Sequence, residues 1–252
     1  MKTISKHMAV ATLLGLTSVN CLAQGDDGPA SFTFAAYYVC DHATEGRMDA
    51  VVEANETALL DRWVEEGKLL AWGYLSHYMG GRWRRAHYFV SATVEEALNN
   101  QSALYRAIYA DNAEGLRARS EACAGHDDYI WALGQGSGPG TDRGNVSLSV
   151  YYVCEIRRED RADQIVAQAH APKLNQMQED GSISSWGWSS HRLGGAYRRL
   201  QTITGADHAS VVAARAELLQ YVNENHSEMG EEFVDICGSH TDYLWDIVHE
   251  AP

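Results

Sequence analysis

The chain has 252 residues, with 20 Lys+Arg against 34 Asp+Glu and a formal net charge of −14. Its apolar content of 45% and charged content of 21% are those of a folded globular protein and exclude wholesale disorder. The acidic balance argues against a nucleic-acid partner, which requires a basic surface to replace phosphate counterions, and against adhesion to anionic lipid.

The first residues read as an address. Lys2, Lys6 and His7 precede an apolar run over 8–19, followed by Cys21-Leu22-Ala23 and the polar Gln24-Gly25-Asp26-Asp27. That is the layout of a secretory signal peptide over 1–23, too short to span a bilayer. Lipid modification of Cys21 is an alternative that Asn20 and Ser18 fit poorly. Export to the periplasm or the extracellular medium is expected, without a membrane anchor once the signal is removed.

Downstream, residues 32–40 are rich in aromatics and read as a strand, and 47–66 as a helix ending before Gly67, which suits a C-terminal cap. Residues 69–77 and 83–90 read as two strands turning through Gly80-Gly81. Thr93 and Glu96 form a capping box for a helix reaching 110. A short helical piece leads to Cys123, and 128–133 closes as a strand. Residues 134–144, beginning Gly-Gln-Gly-Ser-Gly-Pro-Gly, read as a flexible linker.

The series then starts again. Tyr37-Tyr38-Val39-Cys40 recurs 114 positions later as Tyr151-Tyr152-Val153-Cys154. The same shift carries Trp72-Gly73 to Trp186-Gly187, Ser76-His77 to Ser190-His191, Gly80-Gly81 to Gly194-Gly195 and Arg84-Arg85 to Arg198-Arg199. It also carries Cys123, His126, Asp128, Tyr129 and Trp131 onto Cys237, His240, Asp242, Tyr243 and Trp245, with no insertion. Such a match marks a tandem duplication, with copies over 31–133 and 145–248. Pro172 falls inside the second copy's first helix and is expected to split it and open the next segment.

Each copy has the order β-α-β-β-α-β, a ferredoxin-like unit in an α+β protein. Such a sheet carries both helices on one face and leaves the other bare, so two copies are expected to shield each other's open faces. The arrangement resembles the dimeric α/β-barrel superfamily, here as a pseudo-dimer within one chain. The resemblance implies a barrel that binds or transforms a small molecule; some members bind haem, and others have no known chemistry.

Four cysteines lie beyond the signal. In a ferredoxin-like sheet the first strand lies antiparallel to the last, so Cys40 is expected beside Cys123 and Cys154 beside Cys237, as two disulfides. The rival reading takes Cys123-x-x-His126 and Cys237-x-x-His240 as metal-ligand pairs. An exported protein favours the disulfides, and no bound metal is expected.

The densest repeated block supplies the candidate ligand-binding residues. His77 and His191 end strands beside tight turns, with Arg84-Arg85 and Arg198-Arg199 returning on the next strand. Imidazole can act as acid, base or ligand, and arginine can bind a carboxylate. Strand alternation is expected to send the two arginines of each pair to opposite faces. It should likewise place one tyrosine each of Tyr37/Tyr38 and Tyr151/Tyr152 on a cavity wall. The bland alternative has the histidines capping hairpins and the arginines pairing with the abundant carboxylates. His126/Asp128 and His240/Asp242 form a secondary set, readable as acid–base pairs or as turn chemistry. Trp72 and Trp186 read as core.

A phosphate loop, a nucleophile elbow and a His-Glu-x-x-His motif are all missing, so no cofactor is indicated. The expected function is an exported small-molecule binding protein, or a cofactor-independent enzyme, with equivalent pockets in its two halves. The alternatives are a non-catalytic structural or interaction module stapled by disulfides, and a haem protein using one of the repeated histidines.

Overall fold

Alternating side chains set the first strand. In β1 (Phe32–Val39), Phe34, Ala36 and Tyr38 pack toward helices while Ala35 and Tyr37 point the other way, and both sets are buried. A strand covered on both faces reads as the near-continuous apolar run seen here. The computed structural model describes residues 31–251.

After β1 come α1 (Glu45–Asn55) and α2 (Thr57–Glu65), with Glu56 at the break, then the hairpin β2 (Ala71–Gly80) and β3 (Arg85–Ser91). Next are α3 (Val94–Tyr109), α4 (Ala113–Ala122) and β4 (Gly125–Gly136). The second half repeats the order: β5 (Val146–Val153), α5 (Glu159–Ile165), α6 (Ala171–Glu179), β6 (Ser185–Leu193), β7 (Arg199–Gly205), α7 (His208–Asn225), α8 (Ser227–Cys237) and β8 (Ser239–Ala251). Among the described residues, no helix is long and apolar enough to cross a membrane.

Local chemistry explains the boundaries. Thr93 accepts from the Glu96 amide while the Glu96 carboxylate accepts from the Thr93 amide, so the expected capping box forms. Asp207 caps α7 through the Ser210 amide. Gly67 and Gly181 take φ of 72° and 80° just beyond α2 and α6, where other residues would be strained. Between α5 and α6 a π-helical turn spans Val166–His170, and Pro172 stands at the start of α6, where its missing N–H costs little.

Eight strands close a barrel in the order β1-β3-β2-β8-β5-β7-β6-β4. All pairings are antiparallel. The bare sheet faces are covered, but by closure at the edges: β2 pairs with β8 and β4 with β6, which makes those faces one common interior. Closure removes the unpaired edges that each four-stranded sheet would otherwise present. Three apolar clusters result. Two lie between the sheet and the outer helices, one per half, and the third fills the barrel with Tyr37, Trp83, Tyr129, Trp131, Tyr151, Tyr243 and Trp245 among others.

Cys40 is bonded to Cys123 and Cys154 to Cys237, each pair 83 residues apart in sequence and with Cα separations of 3.9 and 4.2 Å. Each link ties the end of its half's first strand to the start of its last. The metal-pair reading is overturned: the four sulfurs are consumed, and no cluster of three metal-binding side chains exists among the described residues. The signal segment over 1–23 lies outside the described residues.

The connector differs from a flexible linker. Strand β4 continues to Gly136, and the Ser137 hydroxyl donates to the Gln178 side chain at 2.9 Å while accepting from the Trp186 amide. Further along, Arg143 donates to the Tyr88 hydroxyl at 2.6 Å and pairs with Glu250. Polar side chains pin this glycine-rich stretch across one end of the barrel.

Candidate functional site

Inward-pointing residues do not fill the barrel evenly. At one end aromatic rings stack into a plug: Tyr37 on Trp83 with centroids 4.3 Å apart, Trp83 on Tyr243 at 5.1 Å, and Tyr243 on Trp245 at 4.9 Å. The repeated glycines make room for it, since a Cβ on Gly195 would run into the Tyr129 hydroxyl and one on Gly81 into that of Tyr243. Toward the other end the interior opens into a cavity of about 540 Å³, roofed by the connector over 137–144 and the end of β8. That volume falls within the range of small-molecule sites.

The cavity floor is Tyr37, Tyr151 and Trp131, whose indole donates to the Tyr37 hydroxyl at 3.2 Å. Burial pushes both phenols up in pKa, so they stay protonated donors at neutral pH. At the mouth Tyr88 donates to Glu250, and Arg143 bonds both. Burial raises the Tyr88 phenol as well. Arg143 and Glu250 neutralise each other, and Asp142 beside them is exposed to solvent.

Of the ten residues singled out first in the sequence, only Tyr37 and Tyr151 line this cavity. Their neighbours Tyr38 and Tyr152 point outward into the helix layer, where their hydroxyls meet Arg119 and Arg215. Alternation therefore works for the tyrosines.

It fails for the arginines. Arg84 lies just before β3, outside the regular pleat, and both it and Arg85 reach α1. Arg84 donates to Glu45 at 2.6 Å, and Arg85 grips Asp49 through two bonds of 2.5 and 2.7 Å. The second half repeats this with Arg198 on Glu159 at 2.5 Å and Arg199 on Asp163 at 2.7 and 2.8 Å. The hydrogen bond from Arg84 holds the Glu45 carboxyl below its usual range, and against burial Arg198 and Arg199 do the same for Glu159.

His77 and His191 accept through Nδ1 from Arg84 and Arg198 at 2.5 and 2.7 Å. Burial first, and the adjacent guanidinium second, lower both imidazole pKa values, so the rings are uncharged at neutral pH. Each ring packs edge-on against the other half's last strand, His77 on Tyr243 and Trp245, His191 on Tyr129 and Trp131. The repeated Glu–Arg–His chains thus clamp helix, hairpin and the seam between the halves, away from the cavity.

His126 meets Asp128 at 2.8 Å on the exposed start of β4, two residues apart on one strand face rather than in a turn. His240 and Asp242 stand 3.7 Å apart on β8. Trp72 and Trp186 pack into the helix layers, their indoles donating to Asp61 and Asn175, although Trp186 also touches the cavity.

Among the cavity residues that sequence reasoning missed are four positions at which the copies differ. Where the first half has Ala35, Ala71, Leu75 and Tyr88, the second has Ser149, Ser185, Ser189 and Thr202 at the 114-residue shift. The signal was present in the aligned copies, as three apolar side chains exchanged for serines and one tyrosine for a threonine.

No protein-family model and no curated protein matches the sequence. Solved structures do resemble the fold. A monooxygenase-like protein of Lactobacillus acidophilus NCFM aligns with a TM-score of 0.59 and 8% identity, over 88% of this chain and 96% of that one. An anthrone oxidase-like protein gives 0.55 and 10%, over 89% and 94%. Chlorite dismutase from Candidatus Nitrospira defluvii, in complex with imidazole, gives 0.55 and 10%, over 88% and 92%. The chain thus has the dimeric α/β-barrel fold, completed within one polypeptide. At these identities the likeness speaks for architecture alone.

Proposed function

We propose that the protein is an exported small-molecule binding protein that holds its ligand inside the barrel, between two tandem ferredoxin-like copies over 31–133 and 145–248. The observation that carries this reading is the cavity itself: about 540 Å³, walled by aromatic and hydroxyl side chains and roofed by a pinned connector. Two disulfides fit an oxidising compartment, as export through a signal over 1–23 would provide. Binding is the role that a wall of aromatic and hydroxyl side chains supports, and the imidazole on it, His249, is engaged by Asp61 at 3.0 Å and stacked on Trp72.

A direct test is to fill the space. In the first half the Tyr88 ring lies across Gly73, where a Cβ would come within 2.6 Å of it. In the second half the equivalent pair is Thr202 and Gly187. Thr202→Tyr should reproduce the first-half packing, keep the fold and abolish uptake of aromatic probes measured by equilibrium dialysis. Undiminished uptake by a folded variant would show that ligands bind elsewhere.

The structural-module reading accounts for the repeated Glu–Arg–His clamps but leaves the cavity without a role. Haem is a further alternative, which the repeated histidines fit poorly: His77 and His191 lie at the seam rather than on the cavity wall, and His126 and His240 sit on the surface. The histidine on the cavity wall, His249, bonds Asp61 at 3.0 Å and stacks on Trp72. A visible absorption band in protein purified from haem-supplied cells would favour haem over the present reading.

A further inference from the structure

The two walls of the cavity are built on one backbone plan yet differ in chemistry. In the first half Ala35, Tyr88 and Gly73 form one cross-strand row over β1, β3 and β2; in the second, Ser149, Thr202 and Gly187 form the same row over β5, β7 and β6. Ser185 and Ser189 lie two positions to either side of Gly187 and replace Ala71 and Leu75. The barrel order keeps β1, β3 and β2 adjacent, and likewise β5, β7 and β6, so each wall is continuous and the two face each other.

Size differs as well as polarity. The Tyr88 ring and hydroxyl cover Gly73, reaching within 2.6 Å of where a Cβ would stand, whereas over Gly187 only the Thr202 hydroxyl comes close, at 2.9 Å, so the smaller side chain leaves more room on the hydroxyl wall. Ser185 and Thr204 satisfy each other at 2.6 Å, and Ser149 meets Ser147 at 3.4 Å. Among the described residues, the Ser189 and Thr202 hydroxyls have no side-chain partner, and both border the cavity. Of the charges at the rim, Arg143 and Glu250 are paired with each other and Asp142 is exposed to solvent. An anionic ligand would find no free counter-charge, and the one unpaired carboxylate at the rim, Asp142, faces solvent rather than the interior.

Resting on the cavity being the binding site, we propose that it takes one uncharged aromatic compound per chain, in one orientation, with the ring system against Ala35, Ala71 and Leu75 and a hydroxyl or carbonyl edge toward Ser189 and Thr202. Two equivalent pockets, expected from the repeat, are replaced by a single two-faced one. A purely hydrocarbon ligand leaves two hydroxyls without the bond they could make, and a ligand polar all round meets an apolar wall, so both are selected against.

The test pairs 1-naphthol with naphthalene, which share a ring system and differ by one hydroxyl, in equilibrium dialysis against the full chain. The expected result is one site per chain, with 1-naphthol favoured. Ser189→Ala combined with Thr202→Val should weaken 1-naphthol by ~3–10-fold, the worth of a neutral hydrogen bond, and leave naphthalene unchanged. Equal binding of the two probes, two sites per chain, or an equal loss for both in the double variant would overturn the orientation while the cavity reading stands, provided Thr202→Tyr still excludes both. Failure of both probes to bind the unaltered protein would sink both readings. Should the double variant not fold, Ser189→Ala alone and the naphthol-to-naphthalene ratio of the unaltered chain carry the test.

Discussion

Charges buried in the helix layer of the first half form a tight group. Glu56 is fully buried and accepts from Arg119 and from the Tyr109 hydroxyl at 2.5 Å; Arg119 also donates to Tyr38. Breaking such a pair by removing one partner leaves the other charge buried and unpaired, at a cost of about 3–5 kcal/mol. Glu56→Gln should therefore lower the urea midpoint sharply. Its counterpart by the repeat is His170, where burial pushes the pKa down to about 4. Burial also takes His87, 3.6 Å from Glu56, down to about 4. In the unfolded chain these rings titrate near 6.5, so between there and about pH 4 the unfolded state binds protons that the native state refuses. Stability from these residues is complete above that window and falls as pH falls through it, by about 3 kcal/mol per ring. Melting temperature measured from pH 7 to 4 should drop, and His87→Gln should flatten the drop; an unchanged slope would show that His87 is protonated in the native state. Glutamine already occupies the equivalent position, as Gln201, where it accepts from Arg215 at 2.8 Å.

At the scale of elements, the disulfides and the connector do separate work. Each disulfide fixes an 83-residue separation and contributes ~2–4 kcal/mol by restricting the unfolded chain. Cys154→Ser with Cys237→Ser should shift the urea midpoint by that amount and leave the Cys40–Cys123 bond intact by mass. On the proposed reading the connector lies across the ligand's way out: Arg143→Ala removes the bonds that tie it to Tyr88 and Glu250, so ligand release should quicken while the melting temperature changes little. The element order, the capping box, the glycine caps and the cysteine pairing were all legible in the sequence, because each is set by local spacing or by topology. The cavity was not. Identity between the copies drew the eye to His77, Arg84 and Arg85, and what the copies share is what holds them together. The wall lies at Ser189 and Thr202, where they differ. Arg84 also stands outside the pleat, so period-two reasoning could not place it.

For the whole molecule, closure is carried by backbone pairing across two seams, β2 with β8 and β4 with β6, while the connector crosses from one half to the other only once. A protease site inserted between Pro139 and Gly140 and then cleaved should leave the halves together in size-exclusion chromatography. Separation into two species would mean that the covalent link, rather than the seams, keeps the barrel shut. The net charge of −14 adds solubility and offers no attraction to nucleic acid.

Carrying both sheets on a single polypeptide has one more consequence. A barrel assembled from two identical subunits must accept every mutation twice, once on each side of its axis. Here a tyrosine can be retained at one position and shortened to threonine at its twin, so a lopsided chamber becomes reachable by single codon changes that a homodimer could not make independently.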